Sequence, residues 1–101
     1  LTDLKLNDNQ LTSVKGLEKL NQLEQLLLYD NKLTDVKGLE KLTQLKFLDL
    51  RANKLTDVTV LEKLTQLTEL DLRNNSNLTK TQIAELQKAL PKYRISSNPK
   101  Q

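Results

Sequence analysis

The sequence predicts an α/β solenoid in which short parallel strands stack by repetition and one α-helix closes the C-terminal end. Three observations carry this. A 22-residue unit recurs, most plainly in residues 23–44 and 45–66, which are identical at 15 of 22 positions, so these stretches take one shape. Each unit opens L-x-x-L-x-L-x-x-N-x-L, and its L-x-L has the period-2 alternation of a strand. Residues 80–90 break the period and place Ile83, Leu86 and Leu90 at helical spacing.

The first copy is residues 1–22, followed by 23–44 and 45–66. The fourth opens at Leu67 as LTELDLRNN and then departs; it is read as residues 67–89, one residue longer than the others. A partial fifth copy, LPKYRISSN, places Leu90, Tyr93, Ile95 and Asn98 at positions 1, 4, 6 and 9. All of this fits one domain, 1–101.

A strand this short cannot bury its face alone. Stacked copies pair strand with strand in parallel and line the apolar residues into continuous ladders. In copy three these are Leu45, Leu48, Leu50, Leu55, Val58, Leu61 and Leu64. Burying one such side chain stabilises by roughly 1.5–3 kcal/mol, which repeated ladders set against chain entropy. Asn9, Asn31, Asn53 and Asn75 make a further ladder where the chain turns inward. An amide there can satisfy free backbone groups of neighbouring turns, a structural role.

Thr79-Lys80-Thr81-Gln82 reads as a capping box, and Pro91 as a helix stop. The expected elements are a helix from about Lys80 to Leu90, an edge strand at 93–95 and a frayed tail at 96–101.

With its period and leucine pattern set out, the chain resembles the leucine-rich repeat superfamily over residues 1–75, in the short 22-residue, bacterial, internalin-like class. The resemblance implies a right-handed solenoid with a parallel sheet on the concave side. It also implies 3₁₀ or extended segments on the convex side and a C-terminal α-helical cap. The GLEKL segments at 16–20 and 38–42 and VLEKL at 60–64 would be the convex turns. Val60 replaces the glycine of the other copies, so left-handed geometry is not required there. Tyr93 stands where the family's terminal strand carries cysteine, and its ring either packs at the edge or covers the sheet end.

Composition narrows function. The chain has no Cys and no His, which removes disulfides, thiolate metal sites and the commonest general base. No nucleophile–base pair is recognisable, so neither enzyme, cofactor nor metal is expected. Sixteen basic and 13 acidic residues are interspersed, giving +3, a solvated surface rather than a nucleic-acid stripe. No apolar run approaches the roughly 18 residues of a membrane span. The compartment stays open. The chain opens at Leu1, not at a methionine, so a processed chain or a piece of a longer array is expected.

The outward strand positions are the candidate site. Position 3 reads Asp3, Gln25, Phe47, Glu69 and Lys92; position 5 reads Lys5, Leu27, Asp49, Asp71 and Arg94. Position 7 reads Asn7, Tyr29, Arg51, Arg73 and Ser96; position 8 reads Asp8, Asp30, Ala52, Asn74 and Ser97. Five of the seven differences between copies two and three lie in the first eight residues, four of them in these columns. The facing of the fifth, Glu24 against Lys46, is open.

Leu27, Tyr29 and Phe47 form an apolar cluster in solvent-facing positions. Scattered exposed hydrophobes are ordinary, but aromatics dominate interface hot spots, which favours a partner anchor. Asp49 and Asp71 are adjacent carboxylates that could share a proton or hold a cation; Arg51 and Arg73 favour a neutralised charge network. The expected function is non-enzymatic binding of a protein or peptide through Leu27, Tyr29, Phe47, Asp49, Arg51, Asp71 and Arg73.

The alternative is a structural, self-assembling or engineered scaffold. Leu4 and Leu6 would sit on an open strand edge, which invites homo-oligomerisation. The convex ladders Glu18/Glu40/Glu62 and Lys19/Lys41/Lys63 are assigned to solubility, with cross-pairing possible.

Overall fold

Each L-x-L segment becomes a three-residue strand: β1 Asp3–Lys5, β2 Gln25–Leu27, β3 Phe47–Asp49 and β4 Glu69–Asp71. The computed structural model describes residues 2–90 and 94–97. A helix, α1 Lys80–Ala89, follows β4, and β5 Arg94–Ser96 completes one sheet in the order β1-β2-β3-β4-β5. All pairings are parallel, and Leu4, Leu26, Leu48 and Leu70 stand in register. The sequence period is therefore the spatial period of the sheet.

Register decides the core. Leu26, Leu28, Leu33, Val36, Leu39 and Leu42 of the second unit are fully buried, as are Leu48, Leu50, Leu55 and Leu61 of the third. The opposite side is built from 3₁₀ turns at Leu17–Lys19, Leu39–Lys41 and Thr59–Lys63. Gly16 and Gly38 enter theirs with φ of 100° and 105°, the left-handed region that glycine tolerates. The third turn starts earlier, after Val58 at φ −127°, and carries Val60 inside it without that geometry.

Asn31, Asn53 and Asn75 are buried and tie adjacent turns together. Asn53 Nδ2 donates to the carbonyls of Leu28 and Leu50 at 3.0 and 3.1 Å, and its Oδ1 accepts from Leu33 N at 3.1 Å. Asn31 and Asn75 repeat the arrangement one unit before and after. No buried side-chain polar atom is left without a partner among the described residues.

The capping box forms: Gln82 N donates to Thr79 Oγ1 at 3.2 Å, and Thr79 N to Gln82 Oε1 at 2.9 Å. Gln82 Nε2 also donates to the carbonyl of Thr56 at 2.8 Å, fixing α1 to the third unit.

One expectation is corrected. The edge strand expected at 93–95 is β5 Arg94–Ser96 among the described residues, and it pairs Ile95 with Leu70. Arg94 thus stands beside Glu69 and Ser96 beside Asp71, two positions earlier in the unit than the sequence pattern assigned them. The cause is α1. Leu70 and Ile95 are 25 residues apart, against 22 for Leu48 and Leu70, because a ten-residue helix replaces a short turn. Leu1, Lys92, Tyr93 and the tail from residue 98 lie outside the described residues.

The convex charges, assigned to solubility, stay apart from one another. Glu18 and Glu40 turn back on their own turns and accept from Gly16 N and Gly38 N, each at 2.6 Å. No convex glutamate pairs with the lysine ladder among the described residues. A backbone donor two residues away holds the carboxylate at lower entropic cost than a flexible lysine on the next turn.

Candidate functional site

The ladder that aligns the leucines also fixes the outward side chains. It continues past the strands: Leu28 N donates to Asp49 O at 2.8 Å, Asp30 N to Arg51 O at 3.0 Å and Ala52 N to Arg73 O at 3.0 Å. Positions 7 and 8 are therefore held by the sheet. Position 8 turns the chain inward in the left-handed region, with φ of 60°, 57°, 55° and 60° at Asp8, Asp30, Ala52 and Asn74. Asp and Asn tolerate that geometry and alanine does not, so Ala52 is strained.

Leu27 and Asp49 are register neighbours, as are Asp49 and Asp71. Asp49 does not face solvent as expected. It is 3% exposed, because Arg51 folds back over it. Arg51 Nε and Nη2 donate to the Asp49 carboxylate at 3.0 and 2.8 Å, and Arg51 N donates to Oδ1 at 3.1 Å. The same guanidinium lies 3.4 Å from Asp71 and places its Cζ 4.9 Å from the centre of the Tyr29 ring. Arg73 repeats the clamp on Asp71 at 3.0 and 2.8 Å, in a more exposed setting.

The neutralised charge network is thus the observed state of this aspartate pair. No three His, Cys, Asp or Glu side chains gather to hold a metal among the described residues. Burial, the largest influence on Asp71, pushes its carboxyl up; hydrogen bonds from Arg73 and the charges of Arg73 and Arg51 outweigh it. The net pKa lies below the ordinary value. The hydrogen bonds and charge of Asp49 hold the Arg51 guanidinium above its ordinary value.

Leu27, Tyr29 and Phe47 are half-buried on the outward face. The ring contact of Tyr29 is with Arg51. Phe47 stands between Gln25 and Glu69 in the position 3 column. There it lines a groove of about 430 Å³ at the start of the strands, with Asp3, Glu24, Gln25, Lys46, Thr68 and Glu69. Position 2 faces this groove, and Lys46 Nζ lies 3.5 Å from Glu24 across it. The sequence gives no sign that Glu24, Lys46 and Thr68 share this face, because alternation inside a strand does not extend through the turn before it.

The family model for leucine rich repeats in two copies matches residues 21–63 and 43–92. The chain belongs to the leucine-rich repeat family. Solved structures agree. An internalin from Listeria monocytogenes is 31% identical, with a TM-score of 0.89 over 99% of this chain and 29% of its own. A leucine-rich repeat protein of Leptospira interrogans is 32% identical, with a TM-score of 0.85 over 95% of this chain and 25% of its own. Internalin C2 of Listeria monocytogenes is 26% identical, with a TM-score of 0.80 over 97% and 43%. This chain spans less than half the length of each. No curated protein matches it significantly. Leucine-rich repeat folds commonly mediate protein–protein binding and are typically non-enzymatic. No helix among the described residues is long and apolar enough to cross a membrane.

Proposed function

We propose that this leucine-rich repeat chain is a non-enzymatic binding module whose concave sheet takes a protein or peptide ligand. Leu27, Tyr29, Phe47, Arg51, Asp71 and Arg73 are the contact surface, and Asp49 supports it from beneath. The observation that carries the reading is the Arg51 guanidinium, clamped by Asp49 and stacked on Tyr29. An aromatic ring and an arginine held in one conformation lose little entropy on binding, and these residue types recur at interface hot spots. Tyr29→Ala and Phe47→Ala, assayed against a partner recovered by pull-down, test this. Each is expected to weaken binding at least tenfold, and an unchanged affinity in both refutes the anchor.

A second reading is association through the N-terminal edge. Leu4 and Leu6 are partly exposed, whereas their equivalents Leu26 and Leu28 are fully buried. Sedimentation at high concentration tests it. An oligomer dissolved by Leu4→Lys supports it; a monomer at every concentration refutes it.

A further inference from the structure

We propose that the groove beside Phe47 is a subsite for a basic side chain, arginine or lysine, of the peptide ligand; this rests on the concave-face reading above. Charge selects that occupant. The described residues at positions 2, 3, 5, 7 and 8 of the five strands, in the observed register, carry seven carboxylates and five cations, although the whole chain is +3. The outward sheet is the acidic side of a basic protein, and complementary charge steers and orients a partner.

Within the groove the imbalance is local. Lys46 is engaged with Glu24 at 3.5 Å. Asp3 and Glu69 line the same space and make no ion pair among the described residues, although Arg94 is the register neighbour of Glu69 on the side away from Phe47. Phe47 stands between Gln25 and Glu69, with Asp3 on the strand beyond Gln25. A guanidinium or ammonium beside that ring gains a cation–π contact while a carboxylate about 4.8 Å away receives its charge. A neutral apolar side chain gains only the ring, and an acidic one is repelled.

Lys46 is an internal competitor in this arrangement, and the test uses that. The isotope-labelled chain is titrated with N-acetyl-arginine amide and followed by NMR, with N-acetyl-citrulline amide as the uncharged isostere. Saturable shifts are expected at the amides of Gln25, Phe47 and Glu69, with citrulline weaker by about three- to tenfold. Glu69→Gln weakens arginine binding by a similar factor, whereas Lys46→Met strengthens it by freeing Glu24. Both positions are exposed, so both variants keep the fold. Equal affinity for citrulline, absence of shifts in the groove, or a Lys46→Met variant no tighter than the parent overturns the proposal. Any of these leaves the Tyr29 anchor standing, because that anchor is tested separately with Tyr29→Ala and a macromolecular partner.

Discussion

Arg51 stacks on Tyr29 from the neighbouring strand, with its Cζ 4.9 Å from the ring centre, while Asp49 holds the same guanidinium through Nε and Nη2. The arginine is thereby shared between the structure beneath it and the face above it. The aspartate is nearly inaccessible and the arginine's outer surface is not, with side-chain exposures of 4% and 37%.

The first prediction follows from that asymmetry. Arg51→Ala removes the guanidinium that both covers and pairs with the Asp49 carboxylate, and the lost charged hydrogen bonds are expected to cost about 1.5–3 kcal/mol in urea unfolding. Arg73→Ala breaks a similar pair nearer the solvent and is expected to cost under about 1 kcal/mol. Equal losses would contradict the assignment of Asp49 as the buried partner.

The asparagine ladder gives the second. Asn53→Ala strands the amide of Leu33 and removes one of the two asparagine donors at the carbonyls of Leu28 and Leu50. About 1–3 kcal/mol is expected, since the orphaned buried amide carries its full desolvation penalty. Asn9 is exposed, and Asn9→Ala is expected to cost under about 0.5 kcal/mol. Chemical denaturation of the two variants side by side checks the contrast.

The third concerns Ala52. The other three residues at its position in the unit are Asp8, Asp30 and Asn74, which tolerate its φ of 55° better. Ala52→Asn is expected to stabilise by about 0.5–1 kcal/mol, seen as a higher melting temperature. A lower one would show that the side chain, not the backbone, dominates at this site.

Much of this was legible in the period alone. Paired strands inherit the 22-residue spacing, so the leucine and asparagine ladders followed directly from the repeat. The capping box at Thr79 and Gln82 was readable because it is local in sequence. Asp49 was placed outward because alternation demands it, and the backbone does present it there. Its burial comes from Arg51 folding back two residues on, a side-chain choice no periodicity records. The register of β5 is not legible in the period, because the return path from α1 depends on helix length and not on the repeat. The left-handed turn at position 8 left no glycine signal, since Asp and Asn fill it in three of the four units.

Acid stability is the fourth prediction. Asp71 has a folded pKa below its unfolded value of about 4. Hydrogen bonds from backbone N–H groups lower Glu18 and Asp57 in the same direction. A carboxyl shifted this way adds stability above its unfolded pKa and loses it as pH falls through the folded one. The urea midpoint is therefore expected to be flat near neutrality and to fall between about pH 5 and pH 2. Asp71→Asn should flatten part of that fall; an unchanged slope would mean that Asp71 is not one of the coupled groups.

The concave-face account is tested most directly by mapping one bound ligand. A peptide selected from a random display library on the immobilised chain is added to the isotope-labelled protein, and backbone amide shifts are recorded. The account predicts perturbations centred on Leu27, Tyr29, Phe47 and Arg51, with the turns at Leu39–Lys41 and Thr59–Lys63 unchanged. Perturbations centred on those turns or on α1, with the sheet silent, would contradict it.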